Sequence, residues 1–420
     1  MLHIASCLSI PMCIKNTSAR IFLGILLLLQ SNALTAWELS GYVGVESLGF
    51  FQNPVSSQQH NHYLSGVIQP QLVHEWDDGR QSFVFVPFYL YSQYDDRRTH
   101  FDIRELTWLK VADSWELRVG FRKVFWGVTE AEHLVDIVNQ TDLVVNLDME
   151  DKLGQPMVNL ALIRDWGTLD LFVLPGFRER TFSGPQGRFR FNPALDVGDS
   201  RFEKQGVERQ MAYAVRWSKA LGDWDWGLSQ FYGTNRDPSI IPELDLSGGL
   251  HLIPYYESIY QTGLDLQVTK GSWLWKLESI VRSGQGNTYY AGAGGLEYSF
   301  YRIFETTVDL GLVAEYLYDS RGNRRITKLN QPNQLVFFQD DFLAAIRLGF
   351  NDEQNTEILA GVTFDRTTGE KFYSLEASRR LGESFKLELE MRLYNNASIN
   401  DATYFLRKDD YVRTELSYHF

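Results

Sequence analysis

Apolar and polar residues alternate with a period of two along most of this chain. In an extended conformation, residues 384–394 would have one apolar side and one charged side, since they read Ser-Phe-Lys-Leu-Glu-Leu-Glu-Met-Arg-Leu-Tyr. Successive side chains of a β-strand point to opposite faces, whereas a helix would mix the two sets. Residues 115–125 and 273–282 alternate in the same way. The pattern predicts strands with one apolar face and one polar face that contacts water.

Eighteen such segments can be placed, with sixteen as the alternative number. They are joined alternately by tight turns and by longer loops. The predicted strands span 37–51, 62–76, 80–94, 100–111, 115–126, 156–165, 168–175, 209–219, 223–233, 255–269, 272–283, 287–300, 305–318, 341–350, 356–366, 370–381, 384–395 and 404–420. Their lengths suit tilted crossings of a bilayer. The pattern is typical of an all-β fold, a transmembrane antiparallel up-and-down β-barrel with short periplasmic turns and long outer loops. A soluble β-sandwich is the alternative, since it would alternate similarly.

Both chain ends fit export to an outer membrane. Lys15 and Arg20 precede the apolar run 21–29, and small residues follow, as in a secretory signal peptide cleaved after Ala33 or Ala36. At the other end, Leu416, Tyr418 and Phe420 share one strand face. A closing Phe resembles the signal by which bacterial outer-membrane proteins are recognised by the barrel-assembly machinery. The expected organisation is a signal peptide, 1–36, followed by a single barrel domain, 37–420.

Composition excludes several kinds of chemistry. Both cysteines, Cys7 and Cys13, lie in the predicted signal peptide, which excludes disulfides and thiolate metal sites from the barrel. Residues 1–36 hold two of the 40 Lys and Arg residues and none of the 53 acidic ones, so residues 37–420 carry a formal net charge of −15. This balance argues against nucleic acid as a partner. No catalytic motif is present, and we assign no catalytic residue, no metal ligand and no cofactor.

Charged residues of the wet strand faces are expected to point into the barrel. On the lipid face they would cost about 2–4 kcal/mol each near the midplane. Barrels of about 16 to 18 strands leave an aqueous channel unless loops fill them. The predicted lumen-facing residues are Arg118, Arg122, Lys276, Glu278, Lys386, Glu388, Glu390 and Arg392.

Two long loops supply candidates for a pore constriction. The loop at 127–155 is acidic yet rich in apolar residues, and Thr129 with Glu132 fits a capping box that would begin a short helix. The loop at 176–208 is rich in arginine, and its alternation at 188–191 would put two arginines on one strand face. Either these loops narrow the lumen together, or the first is an external helix packed on neighbouring loops and the second is a surface hairpin that contacts lipopolysaccharide phosphates. The candidates are Glu130, Glu132, Asp136, Asp142, Arg178, Arg180, Arg188 and Arg190.

One stretch resembles a known group of proteins. Residues 118–127 (RVGFRKVFWG), followed by Asn139, Asp142 and Gly-Gln-Pro at 154–156, resemble a segment of uncharacterised, porin-like proteobacterial outer-membrane β-barrels. The likeness to alginate-export barrels is looser, because Phe121 shifts the second arginine of their pattern by one position. The resemblance implies an eighteen-stranded channel without enzymatic activity.

The sequence therefore predicts a porin-like outer-membrane channel for passive or weakly selective transport of small hydrophilic solutes. Its expected partners are outer-membrane lipid, lipopolysaccharide, the barrel-assembly machinery and the solutes themselves, and its oligomeric state is left open. A closed-lumen surface barrel that acts as an adhesin or structural scaffold is the alternative. A polysaccharide export channel and an enzyme at the barrel rim are further alternatives, although an export channel would need a more basic lumen.

Overall fold

The computed structural model describes residues 37–322, 326–395, 397, 399 and 402–420. Within these residues, eighteen strands form one antiparallel sheet that closes on itself. The first strand, β1 (Glu38–Phe50), pairs with the second strand on one side and with the last strand, β21 (Tyr411–His419), on the other. The predicted all-β barrel fold is confirmed. The predicted signal peptide, 1–36, lies outside the described residues.

The barrel strands follow the chain order without crossovers, each pairing with its neighbours. They are β1 Glu38–Phe50, β2 His62–Trp76, β3 Gln81–Ser92, β4 His100–Ala112, β5 Trp115–Arg122, β6 Gln155–Arg164, β7 Gly167–Leu174, β9 Ala212–Leu221, β10 Trp224–Thr234, β13 Ser258–Lys270, β14 Trp273–Gly284, β15 Gly286–Phe300, β16 Asp309–Asp319, β17 Asp340–Gly349, β18 Glu357–Asp365, β19 Lys371–Leu381, β20 Phe385–Asn395 and β21 Tyr411–His419.

The long loops at one rim carry further structure. Three strands, β8 (Arg201–Phe202), β11 (Ser239–Leu244) and β12 (Leu250–Tyr256), form a small separate sheet. Short helices lie in these loops at Val197–Asp199, Gly206–Gln210 and Ala402–Leu406, and a further helical turn, Ile303–Glu305, lies at the opposite rim between β15 and β16. No helix of the described residues is long and apolar enough to cross a membrane.

Five predicted strand boundaries were wrong by three or more residues; one of them is the strand predicted from 255, which begins at Ser258 because residues 255–256 belong to the separate sheet. β5 ends at Arg122 because the following residues turn into the barrel interior. Residues 209–210 belong to a helical turn, so β9 begins at Ala212. The strand predicted from 305 begins at Asp309, after a helical turn. Residues 404–410 contain the end of a helical turn and a loop, so β21 begins at Tyr411.

Tight turns at the opposite rim use residues that tolerate a left-handed backbone. Between β2 and β3, Asp77, Asp78 and Gly79 have φ of 58°, 52° and 78°. Hairpin turns of this hand match the twist of the flanking strands and favour Asp, Asn and Gly. The sequence Asp-Asp-Gly therefore fixes both the turn and the register of the strands that follow.

The outer face of the barrel is an apolar belt edged by aromatic residues. Val45, for instance, is 62% exposed, as suits a side chain that meets lipid rather than water. Tryptophans gather near the short-turn rim, at Trp37, Trp76, Trp115, Trp166, Trp217, Trp224, Trp226, Trp273 and Trp275. Tyrosines gather near the loop rim, at Tyr89, Tyr91, Tyr213, Tyr260, Tyr290, Tyr316, Tyr318 and Tyr373. Such paired girdles are typical of transmembrane barrels.

The last residues complete this outer face. Leu416, Tyr418 and Phe420 point outward and are 44%, 45% and 44% exposed. The Phe420 N–H donates to the Gly41 carbonyl at 3.0 Å, and the Gly41 N–H donates to the Phe420 carbonyl at 3.1 Å. The final aromatic residue is therefore part of the seam that closes the barrel.

Candidate pore constriction

The loop between β5 and β6, residues 123–154, lies inside the barrel; we name it the constriction loop. Glu130 in this loop accepts a hydrogen bond from Arg347 at 2.7 Å. Arg347 lies on β17, which stands half-way round the barrel from β5. A loop that starts at one wall reaches the opposite wall only through the lumen. This contact places Glu130 against the inner face of β17.

Two inner-face carboxylates hold the first part of the loop. Glu278 on β14 is fully buried and accepts four hydrogen bonds, from the N–H groups of Val128 (2.6 Å), Thr129 (3.1 Å) and Val135 (3.1 Å) and from the Thr129 hydroxyl (2.7 Å). Glu315 on β16 accepts from the N–H groups of Glu130 and Ala131 at 2.8 and 3.0 Å. These carboxylates satisfy backbone donors that have no strand partner.

The second part of the loop turns back toward the barrel seam. Asp142 binds Arg104 of β4 at 2.7 Å. Arg98 donates to the carbonyls of Val144 and Val145 at 2.7 and 3.0 Å. Farther on, the Asn146 amide donates to Glu390 of β20 at 2.9 Å. The constriction loop therefore has two lobes, one fixed to β14–β17 and one to β4 and β20.

The apolar side chains of the loop lie beneath it, against the wall. Trp126, Val135, Ile137 and Val138 are at most 4% exposed and share one core cluster with inward residues of β6 to β15. Burial of each such side chain stabilises the docked loop by roughly 1.5–3 kcal/mol. This packing explains why an otherwise acidic segment contains so much apolar surface.

The short helix predicted from Thr129 and Glu132 was wrong. No helix forms between residues 127 and 140. The Thr129 hydroxyl does reach the carbonyl of Glu132 at 2.7 Å, but it also donates to Glu278. The N–H groups of residues 128 to 131 bind carboxylates of the wall instead of opening a helix. Hydrogen bonds to Glu278 and Glu315, which are distant in the chain, thus form in place of a local helix cap.

A cavity of about 600 Å³ separates the constriction loop from the wall formed by β17 to β20. Five of the predicted constriction residues line it, namely Glu130, Glu132, Asp136, Arg180 and Arg190. Three do not line it. Arg178 binds Asp102 at 2.6 Å. Asp142 is buried within the constriction loop itself. Arg188 is buried in the loop between β7 and β9, near the outer rim.

Asp142 and Arg188 serve as structural ties. Although burial opposes ionisation, hydrogen bonding to His100 and the charge of Arg104 lower the pKa of Asp142 to about 2. Arg188 binds Asp409 at 2.8 Å and covers the Phe50 ring at 4.3 Å. Residues 188–191 form no strand, and the two arginines of this stretch separate: Arg188 is buried among the outer loops, whereas Arg190 lines the cavity. Instead of an arginine cluster that faces an acidic wall, most arginines have local carboxylate partners.

The eight predicted lumen-facing residues lie on the inner face. Three of them contact the constriction loop. Lys276 approaches Glu130 at 3.5 Å, Glu278 accepts hydrogen bonds from backbone N–H groups of the loop, and Glu390 accepts one from the side chain of Asn146. The other five bind neighbours on the wall: Arg118 with Glu116, Arg122 with Asn159, Lys386 with Glu388, and Arg392 with Glu376.

Sequence reasoning missed several residues of the constriction. Glu315 and Arg347 occupy polar-face positions of predicted strands. The period-two pattern could therefore have predicted that both side chains point into the barrel. Arg236 donates to the carbonyl of Val138 at 3.0 Å and lies in a loop with no such pattern. Asp148 was recognised only as part of an acidic loop, yet it lines the cavity.

Titratable groups of the constriction loop have altered affinities for protons. Burial, together with the charges of Asp237 and Asp319, raises the pKa of Glu132 to about 8. Burial, together with the charge of Asp151, raises the pKa of Asp148 to about 7. The charge on the cavity-facing side of the loop therefore depends on pH near neutrality.

A second cavity, of about 380 Å³, lies on the outer side of the first. We name it the vestibule. The two cavities share four lining residues, Arg190, Phe191, Leu335 and Phe405. The rings of Phe191 and Phe405, from different outer loops, are 4.4 Å apart. This aromatic pair forms the boundary between the vestibule and the inner cavity.

The fold defines the class of protein as an eighteen-stranded transmembrane-type β-barrel with an internal loop. No protein-family model and no curated protein matches the chain. Among solved structures, it is similar to a triple mutant of the porin of Rhodopseudomonas blastica, at 11% identity and a TM-score of 0.42, over 91% of this chain and 100% of that one. It is also similar to OccAB3 of Acinetobacter baumannii, at 11% identity and a TM-score of 0.49, over 91% and 99%.

Proposed function

We propose that this protein is an outer-membrane channel through which small hydrophilic solutes pass passively and with weak selectivity. The observation that carries the proposal is the constriction loop, which crosses the lumen and leaves a cavity of about 600 Å³ beside β17–β20. A loop held away from one wall narrows a wide barrel and keeps a path open along that wall.

The size and lining of this path support small polar solutes. Cavities that take small organic molecules typically measure about 300–1,000 Å³. Carboxylates and guanidinium groups line the cavity together, including Glu132, Asp341, Arg282 and Arg392. Such groups replace part of the hydration of a polar solute. A strongly basic lumen, as a polysaccharide exporter would need, is not formed by these residues.

Conductance across a planar lipid bilayer tests the proposal. Residues 37–420, refolded into detergent and added to the bilayer, should give discrete steps of ion current. A folded barrel that shows no current at any voltage or salt concentration would favour the closed-lumen scaffold instead. Folding is checked independently by the change of electrophoretic mobility when the sample is boiled.

Removal of residues 130–150 distinguishes an internal constriction from a lumen sealed by the outer loops. Without this segment the conductance should rise, because the first lobe and most of the second are lost. The matched control removes residues 245–249, the exposed turn between β11 and β12. Equal conductance of both variants and the unmodified protein would contradict an internal constriction.

Three further expectations belong to the same proposal. The segment 1–36 is a signal peptide, and Leu416, Tyr418 and Phe420 are recognised during barrel assembly. Lipopolysaccharide contacts the outer loops. Phe420→Ala, which keeps the backbone hydrogen bonds to Gly41, should lower the yield of barrel inserted in the outer membrane, measured by membrane fractionation, without lowering refolding in detergent.

A further inference from the structure

The inner cavity has an apolar wall as well as charges. Leu343, Ala345 and Leu359 of β17 and β18 line it, although inner faces of a water-filled barrel are usually polar. Phe372 and Tyr394 of the next two strands extend this surface, and Phe338 covers it from an outer loop. Small ions form no favourable contact with an apolar surface, so this wall indicates a solute that has an apolar part.

Most cations that line the cavity already bind a carboxylate. Lys152 binds Asp136 at 3.0 Å and Arg282 binds Asp237 at 3.4 Å. Arg180, Arg321 and Arg392 bind Asp237, Asp319 and Glu376, respectively. Two cations bind backbone carbonyls instead: Arg236 binds Val138, and Arg190 binds Pro185 and Phe191. The positive charge of the cavity is thus largely committed to partners in the protein.

Four carboxyl groups that line the cavity form no ion pair within the described part of the chain. They are Glu132, Asp148, Asp341 and Asp365. Asp341 and Asp365 are neighbours on β17 and β18 and accept hydrogen bonds from the backbone and the amide of Gln339. The side chain of Glu132 forms no hydrogen bond to any described residue. These carboxyl groups give the cavity negative charge when they ionise, which for Glu132 and Asp148 occurs as the pH rises through their raised pKa values of about 8 and 7.

A buried hydroxyl offers a further polar contact. Tyr289 lines the cavity, is 4% exposed, and its hydroxyl has no hydrogen-bond partner among the described residues. A buried polar group without a partner is unfavourable, and a bound solute that forms a hydrogen bond with this hydroxyl would remove that cost. Tyr289 lies on β15, and the guanidinium groups of Arg321 and Arg282 are 3.8 and 5.8 Å from the centre of its ring.

From these observations we propose that the inner cavity binds organic cations that carry a flat apolar or aromatic group. This inference rests on the proposed channel function and specifies its preferred solutes. The carboxylates of Glu132 and Asp148 attract the positive charge, while the apolar wall and the rings of Phe372 and Tyr394 contact the rest of the solute. A cation gains additional attraction from an aromatic face.

Block of the potassium current in a planar bilayer tests this inference. Phenethylammonium is the probe, ethylammonium is the cation without a ring, and benzoate is the aromatic anion. At pH 8.5, where Glu132 and Asp148 are largely ionised, phenethylammonium should block at least about fivefold more strongly than either control, because ethylammonium lacks the aromatic contact and benzoate lacks the positive charge. Equal block by all three, or stronger block by benzoate, would overturn the inference while leaving the channel function intact. Absence of any current would instead reject the channel.

A charge-neutral double variant locates the site. At the same pH, Glu132→Gln with Asp148→Asn should weaken phenethylammonium block about 25-fold, since each of the two lost charges contributes about a factor of five. The control is Glu105→Gln, an inner-face carboxylate of β4 that does not line the cavity. Unchanged block in the double variant would overturn the assignment. Mobility before and after boiling shows that each variant is folded, and the current steps show that it conducts.

Discussion

Replacement of Glu278 by Gln should release the first lobe of the constriction loop. The carboxylate accepts four hydrogen bonds from Val128, Thr129 and Val135, and it is fully buried. An amide has the same shape but only one accepting oxygen. In one orientation its NH₂ group would face the Val135 N–H, and in the other it would face the three donors of Val128 and Thr129. In both cases at least one donor loses its acceptor.

The size of the effect follows from these bonds. A hydrogen bond to a charged group contributes about 1.5–3 kcal/mol, and the amide loses at least one such bond and the charge assistance of the others. We expect the docked lobe to lose about 3 kcal/mol, which raises the undocked population by roughly two orders of magnitude. The anchors at Glu315 and Arg347 remain, so the lobe loosens without leaving the lumen.

Single-channel recordings measure the outcome. The Glu278→Gln channel should show a higher mean conductance and more frequent transitions between current levels than the unmodified protein. Glu116→Gln is the matched control, because Glu116 also faces inward and, among the described residues, its carboxylate binds Arg118 on its own strand and not the constriction loop. If Glu278→Gln gives the same conductance and the same noise as the control, the carboxylate does not hold the loop.

Three other changes probe separate parts of the structure. Raising the pH from 6 to 9 should increase the preference for K⁺ over Cl⁻, measured as reversal potential in a salt gradient, because the raised pKa values of Glu132 and Asp148 make both groups ionise across this range; a constant preference would contradict this. Phe191→Ala should widen the boundary between the vestibule and the inner cavity and at least double the rate of sucrose entry into proteoliposomes, whereas an unchanged rate would place the solute path elsewhere. Arg413→Ala leaves three inner-face carboxylates near the seam without this partner, so it should destabilise the barrel by about 3–5 kcal/mol and lower the temperature at which mobility changes; an unchanged temperature would show that the seam does not depend on this arginine.

Orientation on the strands was predictable because it is a local property. Period-two alternation assigned Glu278 and Glu390 to the inner face without any knowledge of their partners. Alternation also assigned Leu416 and Tyr418 to the outer face. The number of strands followed from counting the same pattern.

Contacts across the lumen were not predictable from local patterns. Glu130 and Arg347 are 217 positions apart in the chain, and their meeting depends on the path of the whole constriction loop. The capping signal at Thr129 and Glu132 is valid for an isolated segment. In the folded protein the carboxylates of β14 and β16 compete for the same N–H groups and prevent the helix.

The small sheet of the outer loops was missed for a different reason. β11 and β12 have six and seven residues, and each contains a proline, Pro242 and Pro254. Proline removes a backbone donor and reduces strand propensity, so these segments appear as irregular loop in the sequence. Both prolines are tolerated because this sheet has only three strands and short ladders.

Chemical modification of a single thiol in the constriction loop tests the central claim most directly. Residues 37–420 contain no cysteine, so Glu132→Cys introduces the sole reactive thiol. A charged methanethiosulfonate added to a conducting channel should produce a stepwise, reductant-reversible fall in single-channel current, because the thiol would lie in the solute path. Complete modification, shown by mass spectrometry, with an unchanged current would contradict a conducting path beside this loop.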